Sequence, residues 1–171
     1  MMKYFSGFAL ENEKKLFSSY LDNNEFSVAG FSYGAIKAFE FAYSSTSRLD
    51  KLILISPAFF ETKQQRYKTL QLQAYKQNKD LYIKSFLKNI TKPNDFDMQK
   101  FLSDDNDISQ LEKLLTYKWD KQKLRELIDK GTQIEVYLGS ADKIIDHQNA
   151  YNMFKKYATV YYIKDASHTL I

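Results

Sequence analysis

Three residues able to carry acyl-transfer chemistry follow one another along this chain: Ser32, Asp142 and His168. Ser32 lies in Gly30-Phe31-Ser32-Tyr33-Gly34. An apolar run, Phe26-Ser27-Val28-Ala29, precedes it, and a helix-patterned one, Ala35-Ile36-Lys37-Ala38-Phe39-Glu40-Phe41-Ala42, follows. G-x-S-x-G between a strand and a helix makes a tight turn that raises the serine hydroxyl above the sheet. Glycines two residues before and after the serine are needed because a Cβ there would meet neighbouring backbone. The serine itself is expected in a strained conformation over the helix N-terminus.

A serine nucleophile needs a base, and histidine is the usual group at neutral pH. The chain has two. His147 opens the segment after the fourth expected strand, whereas His168, in Asp165-Ala166-Ser167-His168-Thr169, follows the last one. The order serine, acid, histidine, with the histidine after the final strand, selects His168 and leaves His147 as a surface histidine. Asp142, in Gly139-Ser140-Ala141-Asp142, stands three residues past a strand-ending glycine. From there a carboxylate reaches the imidazole Nδ1–H, fixes the tautomer and steadies the imidazolium. Asp146 reads as the following helix cap, Glu61 as an outsider after the third strand, and Asp165 as a solvated turn. Two backbone N–H donors must face the developing oxyanion. Tyr33 supplies one, and Phe8, from the loop Ser6-Gly7-Phe8-Ala9-Leu10, the other. All five glycines sit at turns, so none remains for a phosphate loop. No histidine or carboxylate cluster has metal spacing, so neither cofactor nor metal is expected.

The elements that must hold these residues are legible in the hydrophobic pattern. Lys3-Tyr4-Phe5-Ser6 is short and β-prone, and Glu11 to Leu21 carries Leu16, Phe17, Tyr20 and Leu21 on one helical face. The run Leu52-Ile53-Leu54-Ile55-Ser56, closed by Pro57, reads as a buried parallel strand. Ile134 to Gly139 and Thr159 to Ile163 are two more strands. Between them Asp146 caps a helix with Ala150, Met153, Phe154 and Tyr157 on one face. Strands alternating with helices imply a doubly wound α/β domain of about five mainly parallel strands with helices on both faces. Residues 58–119 interrupt the alternation. Ile83, Phe86, Leu87 and Ile90 share a helical face there, Ile108, Leu111 and Leu115 share another, and Asp107-x-x-Gln110 resembles a capping box. Asp120 caps a further helix ended by Gly131 at C′. The insert is expected to be a helical cap over the sheet's C-terminal edge, where open α/β folds bind ligands. The whole chain, 1–171, is read as one domain.

The bulk numbers set bounds. With 171 residues, 44 % hydrophobic and 27 % charged, the chain has an ordinary globular composition. No run approaches the ~18 apolar residues of a membrane span. The start, Met1-Met2-Lys3-Tyr4-Phe5, lacks a secretory h-region, and a cytoplasmic location is expected. Absence of cysteine excludes disulfides and thiol nucleophiles. The net charge of +4 is unevenly spread. Residues 61–92 hold eight bases against two acids, and residues 93–107 one base against five acids. No nucleic-acid motif accompanies the basic stretch, and such patterning suits a specific acidic partner better than a polyanion track.

These residues resemble the α/β-hydrolase superfamily along essentially the whole chain. Within it, the chain looks like a short form of the pimeloyl-acyl-carrier-protein methyl ester esterases of biotin synthesis. Ser6-Gly7-Phe8-Ala9-Leu10-Glu11-Asn12-Glu13 is similar to that family's His-Gly-Trp-Gly-Leu-Asn oxyanion segment, with Ser6 in place of the histidine. Gln64-Gln65-Arg66 and Leu70-Gln71-Leu72-Gln73 resemble a cap stretch that contacts the pimeloyl chain and its carrier. Tyr162-Ile163-Lys164-Asp165-Ala166-Ser167-His168 is similar to the terminal histidine loop. One helix, instead of a helix–strand–helix, separates the oxyanion strand from the Ser32 turn. The resemblance implies that Ser32 attacks a methyl ester at the far end of a pimeloyl chain, releasing methanol, and that water then cleaves the acyl-enzyme with His168 as base. It implies an acyl carrier protein as partner, with Lys63, Arg66 and Lys68 docking it. Phe59, Phe60, Tyr67, Leu70, Leu72 and Gln73 would line the acyl channel. A small-ester carboxylesterase, an acyl thioesterase and a non-catalytic binding relative are the competing readings.

Overall fold

Five apolar runs, each bounded by turn residues, form one parallel sheet in the computed structural model, which describes residues 1–22 and 24–171. The strands are β1 (Lys3–Phe5), β2 (Ser27–Phe31), β3 (Lys51–Ile55), β4 (Gln133–Gly139) and β5 (Thr159–Ile163), in the spatial order β1-β2-β3-β4-β5. β2 is buried along its whole length and β3 nearly so, as expected of central strands covered on both faces. The register aligns Phe31, Ile55, Tyr137 and Tyr161 across the sheet, on one face of the pleat.

Six α-helices stand among the described residues: α1 (Tyr33–Ser44), α2 (Gln65–Gln77), α3 (Lys79–Asn89), α4 (Ile108–Thr116), α5 (Lys121–Asp129) and α6 (His147–Phe154). α1 is nearly all apolar and packs on β1, β2 and β3, while α5 and α6 pack on β4. Asp120 accepts hydrogen bonds from Gln122 N and Lys123 N to start α5, and Asp146 accepts from Asn149 N to start α6. Each such cap contributes about 1 kcal/mol. Gly131, at φ +90°, ends α5 in the left-handed conformation that favours glycine. The opposite face of the sheet is covered by the segment between β1 and β2, where the Phe17 ring lies 4.7 Å from that of Phe31 and Tyr20 lies 5.0 Å from Tyr137.

That segment departs from the expected helix over Glu11 to Leu21. It forms a 3-10 turn, Glu13–Phe17, entered through Asn12 at φ +62°. The cause is tertiary. The Glu13 carboxylate is fully buried and accepts from the Gly7 amide at 3.0 Å and the Tyr4 hydroxyl at 3.1 Å, which pulls the first turn inward. The capping box at Asp107 is half formed. Asp107 accepts from Gln110 N, but the Gln110 side chain, whose oxygen would have to accept from the Asp107 amide to close the box, donates its NH₂ to the Asp105 carboxylate instead.

Between β3 and β4, α2 packs against both α3 and α4. Residues of all three helices line the same cavity as Ser32.

Candidate active site

The turn after β2 is as tight as its glycines require. A Cβ on Gly30 would lie 2.1 Å from Gly34 O, and one on Gly34 would lie 2.0 Å from Phe5 O. No side chain but hydrogen fits at either position. Ser32 between them adopts φ +54°, ψ −114°, a conformation that costs an L-residue of the order of 1–3 kcal/mol and is held by its surroundings. Those surroundings are the end of β3: Ser32 N donates to Ile55 O at 2.9 Å, and Ala58 N donates to Ser32 O at 3.2 Å.

Ser32 Oγ lies 2.9 Å from His168 Nε2, and His168 Nδ1 lies 2.6 Å from Asp142 Oδ2. The three are 5 %, 0 % and 4 % exposed, so both hydrogen bonds lie out of bulk water, where such interactions are strong. The other Asp142 oxygen accepts from the Ile144 and Ile145 amides at 2.7 and 3.2 Å, which fixes the carboxylate plane. Gly139 lets the acid loop meet the histidine loop, since a Cβ there would stand 2.3 Å from both Ala166 O and Ser167 O. The histidine loop is also tied to the cap. Thr169 N donates to Ile90 O, just past α3, at 3.2 Å, and Asn94 Nδ2 donates to Ile171 O at 2.6 Å.

Among the described residues neither the Phe8 nor the Tyr33 amide donates to a protein acceptor. Ala9 at φ +57° and the Gly7–Glu13 hydrogen bond shape the loop that presents Phe8. The competing candidates are occupied elsewhere. His147 Nδ1 pairs with the Tyr162 hydroxyl at 2.6 Å on the surface, Asp146 caps α6, Glu61 accepts from Trp119 N, and Asp165 turns the chain at φ +58°.

A cavity of about 750 Å³ opens over Ser32, a size suited to a sizeable organic ligand. Phe8, Phe60, Tyr67, Leu111, Leu114 and Leu115 supply apolar wall, and Gln71, Asn78, Tyr82, Ser85 and Asn89 neutral polar wall. The Tyr82 hydroxyl donates to Gln71 Oε1 at 3.0 Å, and burial pushes the Tyr82 and Tyr67 phenols up, so both stay neutral. Of the expected channel residues, Phe60 and Tyr67 line this cavity; four do not. Phe59 is in the core, its ring 6.3 Å from Phe154, Leu72 packs half-buried against the core, and Leu70 and Gln73 face solvent. Helical phase is the reason. With Tyr67 inward, the 3.6-residue repeat brings Gln71, Ala74 and Asn78 to the same side and turns 72 and 73 away. Gln71, Asn78, Ser85 and Asn89 were missed because polar residues carry no hydrophobic signal. Lys63, Arg66 and Lys68 stand at the start of the cap, with Arg66 exposed and Lys63 Nζ over the Tyr67 ring at 5.3 Å.

No family model matches the chain, and no curated protein is similar to it in sequence. Solved structures do match in fold. Carboxylesterase CesB from Bacillus subtilis superposes with a TM-score of 0.64 at 14 % identity, covering 99 % of this chain and 77 % of that one. An esterase from Exiguobacterium antarcticum gives 0.63 at 19 % identity, over 83 % of this chain and 59 % of that one. BioG from Haemophilus influenzae gives 0.62 at 14 % identity, over 98 % and 88 %. The chain thus spans less than two thirds of the Exiguobacterium esterase. The fold is that of an α/β-hydrolase, with a reduced all-parallel sheet. Among the described residues no helix is long and apolar enough to cross a membrane.

Proposed function

We propose that this chain is a serine carboxylesterase, and that its substrate is the methyl ester of a pimeloyl chain held on an acyl carrier protein, cleaved in biotin synthesis to the free acid and methanol. One observation carries the esterase reading: the buried chain of hydrogen bonds from Ser32 through His168 to Asp142, opening on a cavity of about 750 Å³. In the reaction, Ser32 Oγ attacks the ester carbonyl as His168 Nε2 takes its proton. The Phe8 and Tyr33 amides bind the oxyanion, and His168 returns the proton to the departing methoxide. Water, activated by the same imidazole, then releases the acid and restores Ser32.

The carrier-bound substrate is supported by the resemblance in the oxyanion, cap and histidine segments and by the basic stretch around Lys63, Arg66 and Lys68. Carrier proteins are acidic, so this charge gives encounter and register. Neutral polar groups on one cavity wall suit a long chain bearing polar atoms beyond the ester. A panel of methyl esters and thioesters, free and carrier-bound, ranked by kcat/KM, tests the reading. A carrier-bound methyl ester at the head of that ranking is expected; a short free ester there makes the protein a general esterase.

Docking can be separated from chemistry. Reversing charge with Arg66→Glu and Lys68→Glu is expected to lower kcat/KM for the carrier-bound ester and leave a small free ester unchanged. Added salt should reproduce the effect for the carrier substrate alone, since charges farther apart than roughly 10 Å are screened at 0.1 M. Equal salt sensitivity for both substrates would leave the basic stretch as an ordinary solvated face.

A further inference from the structure

We propose that Ser56 is a positioning residue for His168, holding the base through its own backbone carbonyl. The proposal rests on the reading of Ser32, His168 and Asp142 as the reacting constellation. Ser56 follows β3 and is fully buried. Its φ of +41° lies in the left-handed region that favours glycine, and Pro57 restricts it further. Its hydroxyl donates to the carbonyl of His168 at 2.6 Å, and no other donor among the described residues reaches that oxygen. Its amide donates to Tyr137 O at 2.8 Å, extending the pairing of β3 with β4.

The backbone here asks for glycine, and serine adds one group that makes one hydrogen bond, to the base. The preceding residue serves the nucleophile, since Ile55 O receives the Ser32 amide. Consecutive residues at the exit of β3 therefore hold the two partners of the proton transfer. Without the hydroxyl, the buried carbonyl of His168 loses its donor, and its peptide turns to find another. That rotation swings the imidazole, whose Nε2 must stay near 2.9 Å from Ser32 Oγ.

Three substitutions separate positioning from plain stability. Ser56→Ala and Ser56→Gly both remove the hydroxyl, but only glycine also relieves the backbone, so the glycine variant should melt higher. Ser56→Thr keeps the hydroxyl while crowding the left-handed backbone. If Ser56 positions the base, kcat sorts by the hydroxyl. The alanine and glycine variants fall together by about tenfold, the worth of one buried hydrogen bond, with KM unchanged. The threonine variant stays near the parent despite a lower Tm. The alanine and glycine pair suffices if the threonine variant does not fold. A kcat that follows Tm through the series, or a glycine variant with parental kcat, overturns the proposal. Proton NMR of the His168 Nδ1–H shared with Asp142 gives a reading independent of turnover: it should shift or broaden in Ser56→Gly, and an unchanged signal counts against Ser56. A parent protein that hydrolyses no ester overturns the esterase reading instead, and the NMR comparison still decides the role of Ser56.

Discussion

Ser32→Ala is expected to lower kcat for ester hydrolysis by on the order of 10⁴- to 10⁶-fold while leaving the fold and Tm close to those of the parent. The hydroxyl is small and its loss opens little space, but it is the nucleophile of the proposed reaction. His168→Ala should cost as much, because members of such a constellation act as one unit and their losses do not add. His147→Ala is the control: its ring pairs with Tyr162 on the surface, away from Ser32, and turnover should hold. Steady-state kinetics on a p-nitrophenyl ester, with circular dichroism to confirm folding, decides the matter. Retained turnover in the Ser32 variant would remove the basis of the whole reading.

Asp142→Asn carries the second large effect, a loss on the order of 10⁴-fold in kcat with little change in KM. The carboxylate accepts from the Ile144 and Ile145 amides through one oxygen and faces His168 Nδ1 through the other. Asparagine keeps its carbonyl on the two amides and turns its NH₂ toward the ring. The imidazole must then accept at Nδ1 and carry its proton on Nε2, so it can no longer take the proton of Ser32. Asp146→Asn offers the comparison, since asparagine caps a helix about as well as aspartate. The pair should differ by orders of magnitude in turnover. If Glu61→Gln proved the damaging change, the acid would have to be reassigned to the end of β3.

The constellation was legible because each of its residues stands just past a strand whose apolar run is unmistakable, and because the glycines at 30, 34 and 139 mark the contacts that hold the loops together. Chain order then left one histidine and one acid in reach. The cavity wall was harder to read. Expecting Leu70 and Leu72 to face the acyl chain assumed that a ligand-binding wall is the apolar side of its helix. In α2 the apolar residues Leu70 and Leu72 lie off the cavity, and Gln71 and Ala74 face it. An open cavity tolerates polar walls that a packed core would not, so hydrophobic patterning cannot set the phase of such a helix. Glu13 and Ser56 were missed for a different reason. A buried carboxylate under the oxyanion loop and a serine in a glycine conformation acquire meaning only through partners that lie close in space: Gly7 and Tyr4 for the first, His168, 112 residues away, for the second.

The tie between the histidine loop and the cap makes one backbone amide a reporter of their contact. The Thr169 amide donates both to Ile90 O, beyond the last turn of α3, and to Ser167 Oγ within its own loop at 3.2 Å. Its hydrogen is expected to trade for deuterium when both bonds open together, as the loop and that end of the cap part. The exchange rate of this one amide, next in sequence to His168, therefore reports how often the loop loosens from the cap. A bound acyl chain that pins α3 would slow the exchange, and the slowing would count occupied molecules without any turnover.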